Sequence, residues 1–349
     1  MKKEKKSLEG LIDKIEKVAA QIKGSVSLME VCGTHTQAIS KNGIRRLMPK
    51  NVKLLTGPGC PVCVTAQEDI DAAVHLAEAG VPIATYGDML RVPGFFGSLE
   101  QARSRGAKVF PVYSVEEALE IKKEYSELVF FGLGFDTTTP MTAVALKNGL
   151  TVYSTHKLFL PAMDALLSMG EIKIDGFISP GHVSTIVGIK PYRHMQVAQV
   201  ITGFTAEDVL VGIYMLLCQI KDGRKEVENE YVRLVRENGN PVARKLIADT
   251  FEIGDGNWRG FGIIPNSGLE VKNPKLNAKF KYANILSKMD HSKSKKSTGC
   301  RCGEVIRGLM MPDQCPMFGK ICTPEKPYGP CMVSDEGACN AEYRSNSGK

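Results

Sequence analysis

No stretch of this sequence is long and apolar enough to cross a bilayer. The longest apolar run, Val209 to Ile220, is shorter than the ~20 residues a spanning helix needs. A signal-peptide core is also missing. The start, MKKEKKSLEGLIDKIEKVAAQI, is basic but reads as an amphipathic helix. Aromatic residues are scarce, at 7% with a single tryptophan. No basic stripe interleaves them, so nucleic acid is not an expected partner. The net charge of +7 gathers partly at Met1–Lys6 and at His291–Lys296, read as solvated tails or linkers. No internal repeat is visible. Gly132-Leu133-Gly134 lacks the third glycine and the lysine of a phosphate cradle. Finally, the six cysteines from Cys300 to Cys339 have no histidine among them and no Cys-x-x-Cys knuckle.

What is present fits a globular chain of two or three domains: 349 residues, 43% hydrophobic and 24% charged. The expected compartment is the cytoplasm, where ten cysteines argue for metal or redox chemistry over structural disulfides. The most informative stretch is Thr56-Gly57-Pro58-Gly59-Cys60-Pro61-Val62-Cys63. It follows the apolar run Val52–Leu55 and precedes Thr65-Ala66-Gln67-Glu68, read as a capping box that opens a helix. A Cys-x-x-Cys near a helix N-terminus has its thiolate stabilised by free N–H groups and the helix dipole. That is the setting of a redox dithiol or of half a metal site. The plainer alternative is a tight turn carrying two buried thiols.

The same plan of strand, special loop and helix recurs along the chain. Ser25–Val31 leads into Cys32-Gly33-Thr34-His35-Thr36, and Val81–Thr85 into Tyr86–Gly94. Lys108–Val112 is followed by a second capping box, Ser114–Glu117. A further α/β unit begins near Leu128, with the loop Gly132–Pro140; Leu150–Tyr153 is a further strand, as is Gly176–Ile178, which runs into Ser179-Pro180-Gly181-His182. Helices are expected from about Gly203, holding Cys218, then over Glu226–Asn238 and Val242–Asp249; Gly254–Val271 reads as short strands and turns. Alternation of this kind predicts parallel, doubly wound sheets with ligands at the carboxyl ends of the strands. The expected fold is therefore α/β: two Rossmann-like parallel-sheet domains, residues 1–125 and 126–250. A cysteine-rich iron–sulfur segment, 251–349, completes it and packs with the N-terminal helix.

Beyond a polar linker at Asp290–Ser297, the six cysteines lie in a segment rich in proline and glycine. Such a segment cannot build its own apolar core and needs a staple. An all-sulfur site leaves zinc held by four thiolates or an iron–sulfur cluster, and the loose spacing suits a [4Fe–4S] cube.

Taken together, Cys32-Gly33-Thr34-His35-Thr36, Gly57–Cys63, Tyr86–Gly94, Gly134-Phe135-Asp136-Thr137-Thr138, Pro180-Gly181-His182 and Cys331–Cys339 resemble the hydrogenase maturation protein HypD family over essentially the whole chain. One departure is Asp136, where the family is expected to carry glutamate. The resemblance implies a scaffold for the Fe(CN)2CO unit of [NiFe]-hydrogenases. It works with a small HypC-type chaperone and receives cyanide from HypE, itself supplied by HypF. It implies that Cys32 ligates that iron, that His35 bonds a cyanide or shuttles a proton, and that Cys60 and Cys63 form a redox dithiol. It also implies a [4Fe–4S] cluster on Cys300, Cys315, Cys322 and Cys339, with Cys302 and Cys331 as extra thiols. Spacing alone does not separate Cys300 from Cys302.

The remaining candidates are weaker. His182 lines the site or is structural. Asp88 and Arg91 contact ligand or partner, or form a loop-fixing ion pair. Cys218 is read as an inert core thiol, and His75 and His156 as structural. The competing functions are a cluster-fed thiol–disulfide oxidoreductase, which leaves Cys32-Gly33-Thr34-His35 unexplained, and a zinc-stapled binding module.

Overall fold

The computed structural model describes residues 2–289 and 299–347. The expected polar linker at 290–297 lies outside the described residues. Nine strands form two parallel sheets: β1 (Val26–Glu30), β2 (Val52–Thr56), β3 (Ile83–Tyr86), β4 (Val109–Val112), β5 (Val129–Gly132), β6 (Thr151–Ser154), β7 (Gly176–Pro180), β8 (Ala198–Thr202) and β9 (Val227–Asn229). The first sheet has the order β2-β1-β7-β8-β9 and the second β4-β3-β5-β6. Every pairing within them is parallel. The inner strands β5, β7 and β8 are buried along their whole length, as strands covered on both faces must be. An antiparallel hairpin, β10 (Phe251–Trp258) and β11 (Gly262–Val271), comes after them in the chain.

The sheets divide the chain differently from the expected boundary at 125/126. The chain lays down β1 and β2, leaves to build the whole second sheet, and returns with β7 to β9. That boundary therefore falls inside the second sheet, between β4 and β5. Alternation of strands and helices sets the order of elements, but an apolar strand such as β7 can pair beside any exposed parallel neighbour. The N-terminal helix, Lys2–Ala19, packs against the helix Ala206–Lys221, burying Ile15, Val18 and Ala19 with Val209, Ile213 and Leu217.

Three local readings change. Glu226–Asn238 is not a helix; it contains β9, and its carboxylates are used across the fold. Glu230 accepts the Gly203 N–H at 2.8 Å, and Arg224 joins Glu226 and Glu228. The capping box at Thr65 is not formed. A short helix, Pro61–Val64, ends there, Thr65 Oγ1 turns back to the Pro61 carbonyl at 2.8 Å, and the next helix, Gln67–Glu78, starts from Ala66. At the second box, Ser114 does cap, accepting the Glu117 N–H. Cys218 is only half-buried at the rim of its core. Among the described residues no helix is long and apolar enough to cross a membrane.

Candidate functional site

In the first sheet, β1 connects outward to β2 and β7 outward to β8, so the chain diverges between β1 and β7. A crevice at the carboxyl ends is expected at such a switch point. Four loops meet there. They come after β1 (Cys32), β2 (Gly57–Cys63), β7 (Gly181-His182) and β8 (Gly203-Phe204).

Cys32 is extended and immediately precedes the helix Gly33–Lys41. The N–H groups of Thr34 and His35 face its sulfur. Burial nevertheless pushes the thiol up to about 12, assisted by the charge of Glu336 and opposed by those two N–H groups. Its loop lies directly on the next one: Gly33 N–H donates to the Gly59 carbonyl at 3.1 Å. A Cβ on Gly59 would stand 2.3 Å from both Cα and N of Cys32, so only glycine allows this approach. Cys60 and Cys63 are joined as a disulfide at the start of the short helix Pro61–Val64, and the Cys63 N–H donates to Cys60 Sγ at 3.1 Å.

His35 is fully buried. Its Nε2–H donates to the Gly203 carbonyl at 2.9 Å, with Thr202 Oγ1 also 2.8 Å from Nε2. Its Nδ1 is buried without a hydrogen-bond partner among the described residues. Burial lowers its pKa to about 4, so the ring is neutral. Phe204 lies between the two candidate histidines, with ring centroids 4.9 Å from His35 and 3.9 Å from His182. His182 is on the exposed side of this stack.

Asp88 and Arg91 belong to the second sheet, after β3, and both reach the C-terminal segment. Asp88 faces Ser334 and Asp335, and Arg91 donates to the Pro324 carbonyl at 2.7 Å. They are clamps on the tail, with no ion pair between them among those of the described residues. Asp136 lies after β5, 3% exposed; burial raises its pKa to about 6, and it accepts the Phe159 N–H. It orients a loop and does not join the Cys32 group. His75 bonds the Ile285 carbonyl, and His156 is buried against Thr142 and Ser154.

All six C-terminal cysteines, Cys300, Cys302, Cys315, Cys322, Cys331 and Cys339, ring one cavity. Among the described residues, no group of three or more His, Cys, Asp or Glu side chains is arranged to hold a single metal ion. The sulfurs are instead spread around the cavity, whose remaining wall includes Val305, Met317, Phe318 and Met332. Gly329 keeps room there, since a Cβ on it would lie 2.3 Å from Cys300 Sγ. The Tyr328 N–H donates to Cys322 Sγ at 3.4 Å, as hydrogen bonds to cluster sulfurs do. An all-sulfur donor set in an apolar wall fits an iron–sulfur cluster. Cys302 and Cys331 are in contact, Sγ to Sγ 2.8 Å, and Cys331 also interacts with Cys339. The helix Pro330–Val333, which holds Cys331, packs on Pro61–Val64, which holds Cys63. The dithiol and the sulfur-ringed cavity are neighbours.

Glu30, Thr202, Phe204, Arg259 and Glu336 join the expected residues here. Glu336 accepts from Thr34 Oγ1 at 3.2 Å and so ties the tail to the Cys32 loop. Arg259 ties the end of the Cys63 helix to the start of the next one, donating to the Thr65 carbonyl and the Gln67 side chain. A usable signal existed for Glu30, a carboxylate inside the apolar run before Cys32, and for β8, the run Ala198–Thr202 closed by Gly203.

Thiols at two strand-to-helix joints and a sulfur-ringed cavity beside them make this a cysteine-centred protein of the parallel α/β class. The HypD family model, described as "Hydrogenase formation hypA family", matches residues 6–346. A putative hydrogenase expression/formation protein of Methanocaldococcus jannaschii is 42% identical over 348 residues, 95% of each chain. The hydrogenase maturation factor HypD2 of Bradyrhizobium diazoefficiens is 42% identical, covering 90% of this chain and 88% of its own. The hydrogenase maturation factor HypD of Cupriavidus necator is 38% identical, covering 94% and 93%. The chain belongs to the HypD family.

Proposed function

We propose that this protein is a [NiFe]-hydrogenase maturation factor. In this reading it is the redox-active scaffold on which an Fe(CN)2CO unit is assembled with a small HypC-type chaperone, HypE delivering cyanide transiently. The observation that carries this reading is the backbone contact between the Cys32 loop and the Cys60–Cys63 loop, beside the cavity ringed by cysteines.

The iron is cargo. Cys32 offers it a soft thiolate, suited to iron carrying cyanide. The Thr34 and His35 N–H groups stabilise charge on that sulfur once its proton leaves. His35 has its Nε2–H committed to Gly203, so its free Nδ1 can accept a proton but not donate to cyanide. That favours proton handling over the cyanide hydrogen bond. Opening the Cys60–Cys63 disulfide takes two electrons and two protons and leaves two thiols. Cys300, Cys315, Cys322 and Cys339 would hold the [4Fe–4S] cluster, which supplies electrons singly at low potential. Cys331, in contact with Cys302, lies on the helix that packs on Pro61–Val64 and so links the cavity to the dithiol helix.

The competing reading, a thiol–disulfide oxidoreductase fed by the cluster, uses the same dithiol but gives Cys32, His35 and Glu336 nothing to do. Iron content separates the two. Purified anaerobically with the chaperone, the protein should carry about four irons for the cubane plus a further one lost in Cys32→Ser. Equal iron in wild type and Cys32→Ser would favour the oxidoreductase.

A further inference from the structure

Glu30 is the last residue of β1, a strand flanked by β2 and β7, where it pairs with Thr56 on one side and Ile178 on the other. Its side chain is fully buried. Burial raises its pKa to about 7, opposed first by the Thr36 hydroxyl and then by the Arg45 charge and the Cys32 N–H. Arg45, whose charge reaches it, gives its own hydrogen bonds to Thr56 and Ser40. Besides the Thr56 hydroxyl near its carboxyl and the Gly57 N–H on its carbonyl, Glu30 bonds twice to the Cys32 turn. Oε2 accepts the Cys32 backbone N–H at 3.1 Å, and Oε1 accepts the Thr36 hydroxyl at 2.6 Å. Cys32 has no side-chain cap of its own, and the peptide before it is flanked on the far side by the Gly59 backbone. The turn is thus held between a carboxylate and a glycine.

We propose that Glu30 is the positioning residue of the iron site: its two carboxyl oxygens fix the Cys32 backbone and the Thr36 hydroxyl. The thiolate is thereby presented in one orientation, so less ordering remains to be done when iron arrives. Bound carbonyl and cyanide report a single orientation as narrow stretching bands. A glutamine in its place keeps the length but offers one acceptor oxygen to the two donors. This inference rests on the reading that Cys32 takes the iron.

The test uses the full chain with its small chaperone, as wild type, Glu30→Gln and Thr36→Val. Two quantities are read: the infrared bands of the complex, and the rate at which iodoacetamide modifies Cys32 in iron-free protein. In Glu30→Gln, Cys32 should react about tenfold faster, the scale of one lost hydrogen bond. Its carbonyl and cyanide bands should broaden. Thr36→Val removes one of the two contacts; it should speed alkylation by less and leave the bands narrow. Unchanged bands and an unchanged rate in Glu30→Gln would overturn the proposal. If that variant does not fold, wild-type alkylation in Thr36→Val overturns it instead. Absence of bands in the wild type would sink the iron reading itself, while the alkylation rates still decide whether Glu30 holds Cys32.

Discussion

Replacing Gly59 by alanine tests whether the Cys32 and Cys60–Cys63 loops work as one unit. The new methyl would start 2.3 Å from the Cys32 Cα and N and 2.5 Å from its carbonyl carbon. These are backbone atoms, so no side chain can swing aside. Reaching ordinary contact requires a displacement of about 1 Å, and overpacking of this kind costs about 1–3 kcal/mol. The shift also endangers the bond from Gly33 N–H to the Gly59 carbonyl, worth about 1 kcal/mol. The expected loss is therefore roughly 2–4 kcal/mol, read from urea unfolding. Iodoacetamide should modify Cys32 faster as its turn is pushed away. Gly87→Ala is the control, because its added Cβ meets nothing within 4 Å, and it should stay within about 0.5 kcal/mol of wild type. A Gly59→Ala protein with unchanged stability and unchanged Cys32 reactivity would refute the reasoning.

Other perturbations have defined outcomes. Thr65→Ala should cost about 1 kcal/mol through its lost bond to the Pro61 carbonyl. Glu68→Ala should be near neutral, since no capping box exists there; equal losses would restore the box. His156 is buried and its pKa is lowered to about 3, by burial first and then by the Lys157 charge. Its contribution to stability is complete above the unfolded pKa of about 6.5 and is lost as pH falls toward 3, roughly 3 kcal/mol by pH 4.5. His156→Gln should flatten that part of the urea-midpoint profile, and an unaltered slope would count against it. Adding a low-potential reductant should open the Cys60–Cys63 disulfide faster when the cluster is present, as read by trapping both thiols. Equal rates in folded, cluster-free protein would leave the sulfur-ringed cavity with a structural role only.

The strand–loop–helix units were legible because each special loop interrupts a clear apolar run with cysteine, glycine or histidine. Seven of the nine parallel strands were readable in this way. β8 was passed over although Ala198–Thr202 is apolar enough, and β9 was hidden by charged residues whose partners are distant in sequence. Sheet membership was not legible at all. Nothing local in β7 says that it returns to pair with β1, and that return is what brings His182 to the Phe204 ring that also stacks on His35. The cysteines of the tail were legible as a group. Their position against Pro61–Val64 depends on packing of Pro330–Val333, which no spacing encodes. The second carboxylate of the site, Glu336, lay inside a recognisable motif but gained meaning only when the tail folded onto Thr34. Thr65 shows the reverse error: a correct motif spelled by residues whose hydroxyl was needed one turn earlier.

The central claim is that Cys32 holds iron carrying cyanide and carbonyl. The most direct measurement is the infrared spectrum of the protein isolated anaerobically with its small chaperone, in wild-type and Cys32→Ser forms. The account predicts bands in the cyanide and carbonyl stretching region for the wild type, and their loss in Cys32→Ser with the cluster absorption retained. Bands of full intensity in Cys32→Ser, or none in a wild-type complex that holds its cluster, would contradict it.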